Sequence, residues 1–61
     1  MRFTIRNVYF VRVDGSNIVT AKGNTDELAF NVMKANEGIY LKEVEPDEYQ
    51  IGDTYVDPEG D

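Results

Sequence analysis

The side chains able to do chemistry in this chain are carboxylates: twelve Asp and Glu stand against six Lys and Arg, with neither His nor Cys. That inventory excludes disulfides, thiolate or imidazole metal sites, and Ser-His or Cys-His catalysis. Carboxylate spacings such as those in "DELAFNVMKANE" and "GDTYVD" lack the context of a paired acid and base held in a pocket, and a 61-residue chain has little room to enclose one. "DTYVDPEGD" offers oxygen ligands but not the Gly-centred calcium loop with its terminal Glu. No Gly-rich phosphate loop is present. Neither catalysis, a metal nor a cofactor is expected.

The acids are unevenly placed. Residues 1–42 carry six basic and four acidic side chains, whereas residues 43–61 carry eight acids and no base. Phosphate contacts need cations, so direct nucleic-acid binding is not expected; a row of carboxylates suits a basic protein surface instead. No apolar run approaches the roughly 20 residues that span a bilayer, and "MRFTIRNVYFVRV" alternates instead of forming a signal core. A soluble, cytoplasmic protein is the expectation.

The elements that must position these groups follow from periodicity. From Phe3 to Val13 the apolar residues alternate: Phe3, Ile5, Tyr9, Val11 and Val13 share one strand face, and Val8 and Phe10 lie on the other. Asp14-Gly15 predicts a two-residue type I′ hairpin turn and a return strand over Ser16 to Lys22, pairing Val11 with Ile18, Phe10 with Val19 and Val8 with Ala21. Gly23-Asn24 breaks that strand, Thr25 caps a helix with Asp26 and Glu27 in its first turn, and Gly38 closes it. A third strand follows over Ile39 to Val44. The expected fold is α+β in ββαβ order, a small sheet with antiparallel pairing and one helix on one face, over residues 1–46. An acidic, partly irregular segment occupies 47–61, with Tyr49, Ile51, Tyr55 and Val56 available to pack on a sheet face.

A chain this size buries only about 60% of its unfolded surface, so association is a common source of added stability. Apolar residues on both hairpin faces leave Val8, Phe10 and Val19 to be covered either by the C-terminal segment or by a second copy, and a homodimer is expected through them. At about 100° per residue, Leu28, Ala29, Val32 and Ala35 share one helix side, with Met33 at its margin. Phe30 points away, among Glu27, Lys34 and Glu37. Either a rotation of the helix or tail packing buries Phe30, or it is an exposed aromatic anchor ringed by charge. On the second reading the partner-binding residues are Phe30 with Asp26, Glu27, Glu37, Glu43 and Glu45, and Phe30→Ala weakens binding while leaving the fold intact.

A ββαβ chain with a helix phenylalanine in "DELAFNVMK" and strong negative charge resembles the small uracil-DNA glycosylase inhibitors of Bacillus podophages. The resemblance implies a homodimeric DNA mimic, with Phe30 helping to form a pocket for the glycosylase's intercalating leucine and carboxylates standing where phosphates would lie. The strand-helix-strand stretch "AKGNTDELAFNVMKANEGIYLKEVEP" is also similar to small phage inhibitors of bacterial RNA polymerase, through Thr25, Asp26, Glu27, Val44 and Pro46. The expected function is therefore phage-type inhibition of a host DNA-processing enzyme, first of all uracil-DNA glycosylase, through its basic DNA groove. The alternatives are a polymerase inhibitor and a small interaction module without an enzyme target.

Overall fold

The computed structural model describes residues 4–57; Arg2 and Phe3, with the acids Glu59 and Asp61, lie outside them. Two strands, β1 (Asn7–Val13) and β2 (Val19–Asp26), lead into α1 (Glu27–Glu37), a single 3-10 turn (Gly38–Tyr40) and β3 (Leu41–Val44). The chain is thus a small α+β fold in the expected ββαβ order. Its sheet is fully antiparallel, in the order β2-β1-β3 with β1 central, so the helix connection carries the chain across β1 to its far edge.

The hairpin departs from the expected turn. Asp14 opens a four-residue turn in which the Asn17 N–H donates to the Asp14 carbonyl at 3.0 Å. Its carboxylate accepts from the backbone N–H of Ser16 at 2.8 Å and of Ile18 at 3.0 Å. This side-chain capture is a common use of Asp in turns. The positive φ, 62°, falls on Asn17 and not on Gly15; Asn tolerates that region better than most residues. The longer turn delays β2 to Val19, and a bulge follows, because Val13 pairs with Val19 while Arg12 pairs with Ala21 and Thr20 is left over. Val11 therefore faces Lys22, Phe10 faces Gly23 and Val8 faces Thr25, in place of the expected Ile18, Val19 and Ala21.

Gly23-Asn24 does not end the strand. A Cβ at Gly23 would lie 3.1 Å from the Phe10 ring, so the missing side chain leaves space for that ring over β2. The strand continues to Asp26, which replaces Thr25 as N-cap: its Oδ1 accepts from the Ala29 N–H at 2.8 Å. Gly38 closes the helix as expected, with φ of 60° and its N–H on the Lys34 carbonyl. Ile39 lies in the 3-10 turn, so β3 begins at Leu41.

The core has two small halves, one on each sheet face. Under the helix, Val8, Phe10, Phe30 and Leu41 are buried with Met33 against them. On the opposite face, Val11, Val13 and Val19 are buried beneath Val44, Tyr49 and Tyr55. The C-terminal segment is held there by backbone pairing to the start of β2: Val19 N–H to Asp53 at 2.8 Å, Gly52 N–H to Val19 at 2.8 Å, and Tyr55 N–H to Asn17 at 2.7 Å. Tyr49 and Tyr55 rings lie 5.2 Å apart, and the Tyr49 hydroxyl accepts from the Val56 N–H at 3.2 Å. Of the two coverings open to the second face, the chain uses its own tail. Val8 and Phe10, under the helix, and Val19, on the opposite face under the tail, are thus core residues of one chain, each 7% exposed or less, and the expectation that they share one face and form a dimer interface is corrected.

Candidate functional site

The helix is turned the other way from its apolar count. Phe30 is 7% exposed, whereas Leu28 and Val32, expected inside, are 64% and 63% exposed. The Phe30 ring packs 6.2 Å from Phe10 at a 40° tilt, above Leu41. Phe30 is thus a core residue and not an exposed partner-binding anchor. The charges around it explain the rotation, because each one reaches the sheet side of the protein. Glu37 pairs with Arg12 through two hydrogen bonds of 2.6 and 2.9 Å, and Arg12 lies 5.5 Å over the Phe10 ring. Arg6 bridges Glu27 at 3.2 Å and Glu43 at 2.7 Å, joining the residue before β1 to the helix start and β3. Lys34 Nζ donates to the carbonyls of Gly38 at 3.0 Å and Leu41 at 2.7 Å. Long side chains can cover apolar surface with their stems and keep their heads at its edge, so a ring of charge frames Phe30 without exposing it.

These pairs decide which sequence-identified acids remain available. Glu27, Glu37 and Glu43 are engaged by arginines and Asp26 by the helix N-terminus. Such exposed pairs are screened by water and add little stability, but they commit their carboxylates to the fold. Of the expected partner-binding acids, Glu45 alone has no cation partner or helix-capping role among the described residues. It joins Asp47, Glu48 and Asp53 in the segment after β3, where all four side chains are exposed and none forms a salt bridge among the described residues.

The segment is ordered by its own turns. Glu45 N–H donates to the Glu48 carboxylate at 2.9 Å while Glu48 N–H returns to the Glu45 carbonyl at 3.1 Å, with Pro46 and the positive-φ Asp47 (62°) at the corner. A second turn repeats the device, Gln50 N–H to the Asp53 carboxylate at 2.8 Å and Asp53 N–H to the Gln50 carbonyl at 3.0 Å, with Gly52 at φ 99°. Lys22 Nζ donates to the Tyr49 carbonyl at 3.1 Å, and Lys42 sits 5.3 Å over the Tyr55 ring. Burial chiefly, then the nearby Asp57, Tyr49 and Glu48, push the Tyr55 phenol above its ordinary value. All five described basic side chains, Arg6, Arg12, Lys22, Lys34 and Lys42, thus have intramolecular partners. Among the described residues, the acids outside salt bridges include four on turns of defined geometry, Glu45, Asp47, Glu48 and Asp53.

The same contacts set a pH dependence. Hydrogen bonding from Arg12 holds the Glu37 carboxyl below its ordinary value of 4.5, and the Ile18 and Ser16 N–H groups hold Asp14 below 3.8. A lowered carboxylate contributes stability in full above its unfolded value, and loses it as pH falls through the folded one. Denaturant midpoints are expected to be level from neutral pH down to about pH 5 and to fall below about pH 4. Glu37→Gln should reduce that acid slope, and an unchanged slope would show that the Arg12 pair plays no part in it.

Among the described residues there is no enclosed pocket and no group of three side chains suited to a metal ion. No helix of the described residues is long and apolar enough to cross a membrane. No protein-family model, curated protein or solved structure matches the chain.

Proposed function

We propose that this chain is a non-catalytic acidic binding protein that occupies a basic, nucleic-acid-binding surface on another protein. The observation that supports it is the contrast between the five described basic side chains, each engaged within the chain, and Glu45, Asp47, Glu48 and Asp53, which stand on ordered turns without a salt bridge among the described residues. A groove that holds phosphates presents Lys and Arg at intervals, and fixed carboxylates satisfy it without the ordering cost of a loose tail. The acids both steer the encounter and supply the register of the complex.

The function that follows is phage-type inhibition by DNA mimicry of a host DNA-processing enzyme in the cytoplasm, with uracil-DNA glycosylase the first target to test. With Phe30 inside the core, the mimicry is carried by charge and not by an aromatic pocket. Coverage of both sheet faces within one chain gives some support to the second reading, an RNA polymerase inhibitor, for which a monomer is sufficient. Parallel assays separate the two: uracil excision and promoter-dependent transcription, each titrated with the protein. The first reading expects stoichiometric loss of excision, relieved by excess duplex DNA, with transcription unaffected. Loss of transcription alone would select the polymerase reading, and neither loss would reject both targets.

A further inference from the structure

Asp14-Gly15 opens the hairpin turn and takes no part in the acidic turns after β3. It is the chain's one Asp-Gly pair, and no Asn-Gly occurs. In such a pair the backbone nitrogen after the acid has no neighbouring Cβ to shield it from the side-chain carbonyl carbon. Among the described residues the Gly15 N–H has no hydrogen-bond acceptor, and nothing lies within 4 Å of where a Cβ would stand. The electrophile, in contrast, is tied down: the Asp14 carboxylate accepts from the Ser16 N–H at 2.8 Å and the Ile18 N–H at 3.0 Å. We propose that Asp14 is a site of succinimide and isoaspartate formation that the folded turn holds off, and that the conversion, once complete, frees the C-terminal segment from the sheet.

The reaction needs only these two residues and water. The Gly15 nitrogen bonds to Asp14 Cγ, the bond from Cγ to its hydroxyl breaks, and the amide proton leaves with that hydroxyl as one water. Hydrolysis of the imide at Cγ restores aspartate. At the former backbone carbonyl it routes the chain through the side chain as isoaspartate, with an added backbone methylene and the original mass. The departing hydroxyl requires a neutral carboxyl, whereas the Ile18 and Ser16 N–H groups favour the carboxylate. Opening of the turn removes that restraint and the fixed side-chain position together. Conversion then undoes what the turn holds. It displaces along the chain the Asp14 carbonyl, which accepts from the Asn17 N–H at 3.0 Å. The C-terminal segment hangs on the residues just beyond: Tyr55 N–H bonds to the Asn17 carbonyl at 2.7 Å, Val19 N–H to Asp53 at 2.8 Å and Gly52 N–H to Val19 at 2.8 Å, with Ile18 bridged to Thr54. A lengthened turn moves all three residues against that segment, while the cluster under the helix lies on the other sheet face.

Two measurements on the full chain test the proposal. The first follows Asp14 by peptide mass mapping and isoaspartyl-methyltransferase labelling at about pH 5, where the fold keeps its stability, with and without guanidinium chloride. Conversion should be at least about tenfold slower in the folded chain than in the unfolded one. Gly15→Ala fits the open site, since Gly15 lies outside the positive-φ region, and it should slow conversion of the unfolded chain. The second compares hydrogen exchange of the wild type with that of a synthetic chain carrying isoaspartate at position 14. The Val19, Gly52 and Tyr55 amides, which tie down the C-terminal segment, should exchange at least about tenfold faster. The Gly38 amide, bonded to the Lys34 carbonyl at the helix end, should be unchanged. Equal conversion in the folded and unfolded chains, no conversion in either, or undiminished conversion of Gly15→Ala would overturn the modification site. Native exchange at all four amides, or equal acceleration at Gly38, would overturn the release of the C-terminal segment.

Discussion

Phe30→Ala is expected to unfold a large part of the protein at room temperature. Phe30 is the one buried residue of the helix, and it forms, with Val8, Phe10 and Leu41, the buried cluster of the described residues on that side of the sheet. Truncating a buried Phe costs about 3–5 kcal/mol. A domain of 61 residues has in total only about 3–9 kcal/mol at the usual per-residue stability. Nothing else on that face compensates, since Met33 is only half-buried and Ala29 is small. Urea or thermal unfolding followed by circular dichroism measures the effect. If Phe30 were the exposed anchor that its charged neighbours suggest, the variant would melt like the wild type, and that result would contradict the core described here.

The second large effect is expected on binding. Changing Glu45 and Glu48 to Gln, and Asp47 and Asp53 to Asn, removes four of the chain's twelve acids. The side-chain oxygens that accept from the Glu45 and Gln50 N–H groups remain, so the turns keep their hydrogen bonds while losing their charge. Stability should change little, because none of the four takes part in a salt bridge among the described residues. Affinity for a basic partner should fall by at least about tenfold, mainly through slower association. Native-like unfolding together with unchanged affinity would remove the acidic turns from the binding surface.

Periodicity and capping signals make the element order and the Gly38 end of the helix legible in the residues, while the cover of the second sheet face stays open between the tail and a second copy. What they do not show is which side of the helix faces in. Counting apolar residues treats Glu27, Lys34 and Glu37 as markers of solvent, yet each has a partner on the inner side: Arg6, backbone carbonyls and Arg12 in turn. One ring seated on Phe10, framed by these pairs, outweighs a stripe of Leu28, Val32 and two alanines. The hairpin register was hidden for a different reason. Asp14 can serve a type I′ turn or capture backbone N–H groups in a longer one, and its choice of the second, with Asn17 taking the positive φ, shifts every later pair. The acidic region is legible as composition. Which of its acids are free is not, because that depends on where Arg6 and Arg12 reach across the fold.

The most direct test of the account is the rate of association with bacterial uracil-DNA glycosylase, measured by stopped flow at about 0.01 M and about 1 M salt, between which the Debye length shrinks from about 30 Å to about 3 Å. The account predicts that the wild-type rate falls at least about tenfold across that range, while the Glu45→Gln, Asp47→Asn, Glu48→Gln, Asp53→Asn variant starts slow and changes little. Equal rates for the two proteins at low salt, or no association of the wild type at all, would contradict it.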